Sequence, residues 1–95
     1  MKIIGRQEIV SFYNKHNQAK GALNAWINEV ESTSWDCPQD IRNRFSTASF
    51  LPDNRVVFNI KGNDYRLVVQ VRYANGIVKI ERIGTHAEYD KWSLK

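Results

Sequence analysis

The side chains best suited to chemistry are concentrated near the end of the chain, in the stretch ERIGTHAEYDKW from Glu81 to Trp92. Within it, Arg82 offers a guanidinium, His86 an imidazole and Tyr89 a phenol. An imidazole beside a bound phosphate can act as a general base, and a phenol can donate a proton or stack on a nucleobase. A guanidinium can stabilise negative charge that develops at phosphorus. These residue types therefore indicate phosphate chemistry that needs no metal ion.

The positive charge of the chain is concentrated just before this stretch. The net charge is +4 at neutral pH, yet segments 1–54 and 83–95 are each balanced. Segment 55–82 carries six basic residues against two acidic ones. The basic residues are Arg55, Lys61, Arg66, Arg72, Lys79 and Arg82. A local excess of this kind favours an anionic partner, with nucleic acid the first candidate. A solvated sheet face rich in lysine and arginine explains the charge equally well.

Three segments with alternating apolar residues predict the strands that hold these cations. They are RVVFNI, YRLVVQVRY and IVKIERI, and their period of two is typical of half-buried strands. In the second segment the apolar set is Leu67, Val69 and Val71, and the polar set is Arg66, Gln70 and Arg72. Packed helices need the apolar face, so the basic face is predicted to be open. We expect Arg55, Gln70, Arg72 and Lys79 to contact RNA on that face.

The turns between these strands predict which cations meet. The pair NG favours a two-residue type I′ turn, which would pair Tyr73 near Val78. Arg66 would then lie at the same end of the sheet as Arg82. Lys61, in the preceding turn KGND, would reach that end as well. Three cations are thus expected to converge where THAEYDKW begins.

The first half of the chain is predicted to be helical. Ile9, Phe12 and Tyr13 share one face of a first helix, and Asn17 is positioned to cap a second one that extends to about Val30. WDCPQDIRNRF predicts a short third helix or turn, with Asp36 as its cap, and MKII is compatible with an edge strand. The predicted architecture is α+β. Two N-terminal helices pack on one face of a small antiparallel sheet, a short C-terminal helix follows, and residues 1–95 form a single domain.

The C-terminal helix has a clear start signal. Thr85 followed by Glu88 forms the capping box T-x-x-E, so the helix is predicted to begin at His86. This structural role accounts for Thr85 and Glu88, and Trp92 is expected to anchor the helix on the sheet edge. It does not account for His86, which faces the predicted cations. The plain alternative is a surface histidine that the first helical turn tolerates.

Several classes of protein lack support in the residues. Cys37 is the only cysteine, and the sequence contains no C-x-x-C pair, carboxylate cluster, P-loop or dinucleotide fingerprint. The opening MKIIGRQEI is too charged for a signal peptide, and no long apolar run follows. We expect no metal, no cofactor and no membrane segment, and a reducing, cytoplasmic location. Metal-independent RNA cleavage fits the residues, because it needs only a base, an acid and cations around the phosphorane.

Two segments resemble a known family. VVFNIKGNDYRLVVQVRY and IERIGTHAEYDKW are similar to the HigB-type toxins of bacterial type II toxin–antitoxin systems, within the RelE-like superfamily. The pattern F-N-x-x-G-N-x-Y-R-L followed by T-H-x-E-Y-D is the specific part, and the resemblance is strongest from Arg55 to Trp92.

The resemblance implies an mRNA interferase that cleaves transcripts on the ribosome. It also implies a cognate HigA-like antitoxin with a helix-turn-helix domain, through which the toxin–antitoxin complex would bind operator DNA. The catalytic residues implied are Arg66, Arg82, His86, Tyr89 and Lys61. Which of His86, Tyr89 and Lys61 is acid and which is base stays open. Two alternatives use the same basic sheet: a non-catalytic RNA- or ribosome-binding module, and a structural protein whose sheet another chain covers.

Overall fold

The computed structural model describes residues 1–92. Three helices precede most of the sheet: α1 (Arg6–Lys15), α2 (Lys20–Glu31) and α3 (Pro38–Arg44). The strands are β1 (Lys2–Ile4), β2 (Ser49–Leu51), β3 (Arg55–Ile60), β4 (Tyr65–Arg72) and β5 (Ile77–Thr85). A last helix, α4 (His86–Tyr89), follows β5, and short 3₁₀ turns occupy Asn17–Ala19 and Tyr73–Asn75. The α+β class and the short C-terminal helix are confirmed.

The sheet has five strands in the order β1-β5-β4-β3-β2. Strands β2 to β5 are paired antiparallel, as predicted. MKII forms an edge strand, as expected, but β1 runs parallel to β5, which makes the sheet mixed. The short edge strand β2 was missed, because three residues are too few to show a period.

The helices cover one face of the sheet. The predicted inward set Leu67, Val69 and Val71 is fully buried, together with Ile9 of α1 and Leu23 of α2. Burying each such side chain stabilises the fold by about 1.5–3 kcal/mol. The core therefore fixes which side chains of β3, β4 and β5 are left on the other face, which we call the open face.

Two predicted helix caps are wrong. Asn17 begins a 3₁₀ turn before α2, and its side chain makes no cap hydrogen bond. At α3 the N-cap residue is Cys37, and Pro38 occupies the first turn. Asp36 instead donates its backbone N–H to Oδ2 of Asp40 at 2.8 Å. Asp36 therefore precedes the helix and is held by the Asp40 side chain instead of capping the helix with its own.

The connection between β4 and β5 also differs from prediction. Arg72 pairs with Ile77, so four residues form the turn, and Tyr73 belongs to it rather than to a strand. Gly76 closes the turn with a left-handed φ of 66°, a conformation that glycine adopts without steric cost. The partner of Val78 is consequently Val71 rather than Tyr73.

A β-bulge in β5 decides where Arg82 points. Val69 pairs with Ile80 and Val68 pairs with Arg82, so Glu81 is an extra residue. Under the predicted register Arg82 would have stood opposite Val69, on the face that the helices cover. The extra residue reverses the alternation after position 81 and places Arg82 on the open face.

Candidate active site

The open face collects most of the predicted cations. Arg55, Arg66, Arg72, Lys79 and Arg82 all lie on it, because their strand partners are open-face residues. Gln70 stands between Arg55 and Lys79 in one row across three strands. Arg72, Lys79 and Arg82 are exposed, while Arg55 is half-buried. The predicted basic surface on the side opposite the helices is therefore present.

A cavity of about 440 Å³ lies among these side chains. We call it the basic groove. It is lined by Glu8, Arg55, Val68, Lys79, Ile80, Glu81 and Arg82. Val68 is 1% exposed and forms an apolar floor between the cations. Three cations and the two carboxylates of Glu8 and Glu81 surround this floor, so the lining carries one net positive charge.

Arg66 is buried rather than open. It is 7% exposed and was predicted to lie on an accessible face. Its Nη1 donates to the backbone oxygen of Asn63 and its Nη2 to Asn63 Oδ1, both at 2.9 Å. The guanidinium carbon lies 5.4 Å from the centroid of the Tyr89 ring. Arg66 thus connects the β3–β4 turn to helix α4 and fixes the tyrosine beside it.

Arg82 is held by an aromatic ring. Its guanidinium carbon lies 5.0 Å from the centroid of Trp92, and the Trp92 and Tyr89 rings meet edge to face at 5.8 Å. A Cβ at Gly84 would lie 2.7 Å from Cζ2 of Trp92. The indole therefore occupies space that only glycine leaves free. Arg82, at the same time, remains exposed toward the basic groove.

The capping box of α4 forms as predicted. Glu88 N–H donates to Thr85 Oγ1 at 3.2 Å, and Thr85 N–H donates to Glu88 Oε1 at 2.8 Å. The backbone hydrogen bond from Thr85 lowers the pKa of Glu88. The helix is also tied to the β3–β4 turn, because His86 N–H donates to the backbone oxygen of Asp64 at 2.9 Å.

His86 stands at the first position of α4 with its side chain about half exposed. Its Nε2 lies 3.5 Å from Oδ2 of Asp90, one helical turn later. The carboxylate can hold the orientation of the ring. The structure thus places an accessible imidazole on the helix whose Tyr89 and following Trp92 contact Arg66 and Arg82.

Lys61 does not join this group. Its backbone is left-handed, with φ 53°, and its Nζ lies 3.4 Å from Oε1 of Gln18 on the helical side of the molecule. The expected convergence of three cations is therefore wrong for Lys61, because the turn carries this side chain away from α4.

Gln70 and Arg72 line a second open-face cavity of about 420 Å³, and Gln70 Nε2 donates to the backbone oxygen of Asp53 at 3.1 Å.

Two residues at the site were missed from the sequence. Asn63 holds Arg66, and its position three residues earlier in a tight turn is a signal that could have found it. Glu8 of α1 lines the basic groove, and no local pattern predicts that contact.

Within residues 1–92 no cluster of three or more histidine, cysteine, aspartate or glutamate side chains could hold a metal ion. No helix in that range is long and apolar enough to cross a membrane.

The fold and the open face define a small α+β protein with a row of cations on the side of the sheet opposite the helices. The family model of the HigB toxin, the RelE-like toxic component of a toxin–antitoxin system, matches residues 19–92. The chain belongs to this family. It is also similar to the mRNA interferase HigB of Escherichia coli O6:H1 (strain CFT073), with 26% identity over 93 residues, which cover 96% of this chain and 90% of that protein.

Proposed function

We propose that this toxin is a metal-independent endoribonuclease that cleaves mRNA on the ribosome and so stops translation. The observation that carries the proposal is the juxtaposition at one edge of the open face. There the exposed imidazole of His86 stands on a helix whose aromatic neighbours contact two arginines, and one of these arginines opens into the basic groove. The name of the E. coli relative supports the same activity.

The residues divide into roles according to exposure. A base removes the proton of the ribose 2′-OH, which attacks the adjacent phosphorus; the bond from phosphorus to the 5′-oxygen breaks, and an acid protonates that oxygen. His86 and Tyr89 are the candidates for base and acid, and Arg82 stabilises the phosphorane charge. Arg55 and Lys79 hold the flanking phosphates in the basic groove, with Arg72 and Gln70 beyond them. Arg66 acts through Tyr89, because its guanidinium is buried against Asn63 and the ring. Lys61 has no part in this arrangement.

The partners follow from the same proposal. The toxin would be neutralised by a cognate HigA-like antitoxin with a helix-turn-helix domain, and the complex would bind operator DNA through that domain. Both proteins would act in the cytoplasm, where translating ribosomes present the mRNA.

A pair of histidine variants tests the proposal. Purified protein is incubated with translating ribosomes, and the RNA ends are mapped. Wild-type protein should leave 2′,3′-cyclic phosphate or 3′-phosphate ends, and His86→Gln should cut about 10²–10⁴-fold more slowly. The matched control is His16→Gln, since His16 stacks on Phe12 at 4.3 Å within the helical layer. Equal rates for His86→Gln and wild type would remove His86 from the reaction.

A non-catalytic RNA-binding module is the second candidate. It is favoured by the engagement of two of the proposed groups, since Asn63 occupies Arg66 and Asp90 lies beside the His86 ring. This module would bind RNA with steep salt dependence and leave the strand intact. Cleaved ends in the ribosome assay would eliminate it.

A further inference from the structure

Two carboxylates line the basic groove beside its cations, and the proposed cleavage reaction uses neither of them. Glu8 comes from α1 and Glu81 from β5, and both are exposed. Within residues 1–92 neither side chain has a hydrogen bond or an ion pair with another side chain. A groove that bound only phosphates would be weakened by these charges, because like charges repel. The carboxylates suit instead a group that donates hydrogen bonds.

The β-bulge in β5 places Glu81 next to Arg82 on the open face. Ile80 pairs with Val69 and is buried under the helices, so the next residue, Glu81, faces the open side. Arg82 pairs with Val68 and faces the same side, because Glu81 is the extra residue. A regular strand would have placed Arg82 under the helices. The bulge therefore sets a hydrogen-bond acceptor and a cation side by side in the groove.

The two neighbouring side chains do not neutralise each other. The guanidinium carbon of Arg82 lies 5.0 Å from the centroid of the Trp92 ring. Within the described part of the chain, no ion pair joins this guanidinium to Glu81. Arg82 thus remains a ligand for phosphate, and the Glu81 carboxylate keeps both of its oxygens for another part of the nucleotide.

Nucleobases differ in the donors that they offer to a carboxylate. Guanine presents two adjacent donors, N1–H and the N2 amino group, on its Watson–Crick edge. Adenine and cytosine present an amino group next to an acceptor nitrogen, and uracil presents one N–H between two carbonyl oxygens. A carboxylate accepts both guanine donors at once, and such charge-assisted pairs are strong. Guanine is therefore the base that an unpaired carboxylate selects best.

We propose that Glu81 determines base specificity by accepting the N1–H and N2–H groups of a guanine in the basic groove. The nucleotide that carries this guanine is held next to Arg82, so the base lies beside the bond that is cleaved. This inference rests on the proposed function for RNA as the ligand. It goes beyond that function by assigning a base and the residue that recognises it. Glu8 belongs to α1 rather than to the bulge, and we assign it only an electrostatic effect.

Binding to uncleavable RNA tests the contact directly. The probes are short uridine oligomers with 2′-O-methyl riboses, one with a central guanosine and the other with inosine in its place. Inosine lacks only the N2 amino group of guanosine, so it removes one of the two donors. Fluorescence anisotropy measures the Kd of each probe for the full chain. Wild-type protein should bind the guanosine probe about tenfold more tightly than the inosine probe.

Glu81→Gln is the decisive variant, and Glu8→Gln is its matched control. Each removes one negative charge from the same groove at an exposed position, so both should fold. Glu81→Gln should bring the ratio of the two Kd values to about 1, because an amide places a donor where guanine also donates. Glu8→Gln should keep the wild-type ratio. On ribosomes, wild-type cuts should show guanine at one fixed position beside the cut, and Glu81→Gln should lose this enrichment.

The outcomes separate the base contact from the cleavage reaction. Equal binding of the two probes by wild type, or binding of neither, would overturn the guanine contact. An unchanged ratio in Glu81→Gln would remove Glu81 from it, and equal losses in both variants would show that the charge of the groove sets the preference. If wild type prefers the guanosine probe but leaves transcripts intact, the proposed cleavage fails and the guanine contact stands.

Discussion

The contact between Asn63 and Arg66 gives the sharpest prediction about how the site is held. The Asn63 side chain supplies one of the acceptors of a guanidinium that is 7% exposed, at 2.9 Å from Nη2. Asn63→Ala removes that acceptor and leaves the backbone oxygen of the same residue in place. A hydrogen bond to a buried charged group contributes about 1.5–3 kcal/mol. The free energy of unfolding should fall by about 2 kcal/mol.

Urea unfolding of purified protein measures this loss, and two variants act as controls. Asn63→Asp keeps an acceptor for Arg66, so it should restore the stability. It also adds a negative charge beside the proposed RNA-binding surface, so its RNA affinity should fall below that of wild type. Asn59→Ala removes only a long, exposed 3.4 Å bond to the Thr47 oxygen, and its effect should stay within about 0.5 kcal/mol. A loss below that value for Asn63→Ala would show that the turn does not hold Arg66.

Three further predictions concern the same edge of the sheet. Gly84→Ala should displace Trp92, because the new Cβ would lie 2.7 Å from Cζ2 of the indole. Tryptophan fluorescence should then report a more exposed indole, and an unchanged spectrum would contradict the packing of Trp92 on Gly84. The pKa of Glu88 is lowered by the backbone hydrogen bond at the helix start. Its contribution to stability is therefore present above the pKa of the unfolded carboxyl and is lost as pH falls through the lower folded value, so the penalty for Glu88→Gln in unfolding experiments should shrink in acid. Arg82→Gln should reduce the slope of log affinity for RNA against log salt by about 1, whereas Arg6→Gln, which removes a cation paired with a glutamate on the helices, should leave the slope unchanged.

The alternation of β4 and the capping box were the most informative parts of the sequence. Both are short-range patterns with a fixed geometry. A period of two determines which side chains share a face, and T-x-x-E determines where α4 begins. Leu67 and Val69 are buried as predicted, and His86 opens the helix. The open basic face followed from the alternation of β4 and from the charge excess in segment 55–82, whereas the place of Arg82 on it did not.

The errors arose where the backbone departs from regular geometry. No residue type or local pattern marks Glu81 as a bulge, so the sequence did not indicate that the alternation reverses at Arg82. The left-handed backbone at Lys61 also redirects a side chain, which leaves the β3–β4 turn toward the helices instead of toward α4. The burial of Arg66 depends on the nearby Asn63 and also on Tyr89 of α4, which comes from a distant segment of the chain. Such long-range closure has no signature in a single window of sequence.

Helix α4 has one further consequence, which concerns the order of events during folding. It contains four residues, far fewer than a helix needs to persist alone in water. It depends on the Asp64 oxygen that receives the His86 N–H and on the space above Gly84 that receives Trp92. Both positions are supplied by the paired strands and the β3–β4 turn, so α4 forms only once the sheet has formed. Local opening of α4 would separate Tyr89 and Trp92 from Arg66 and Arg82 while the core stays folded.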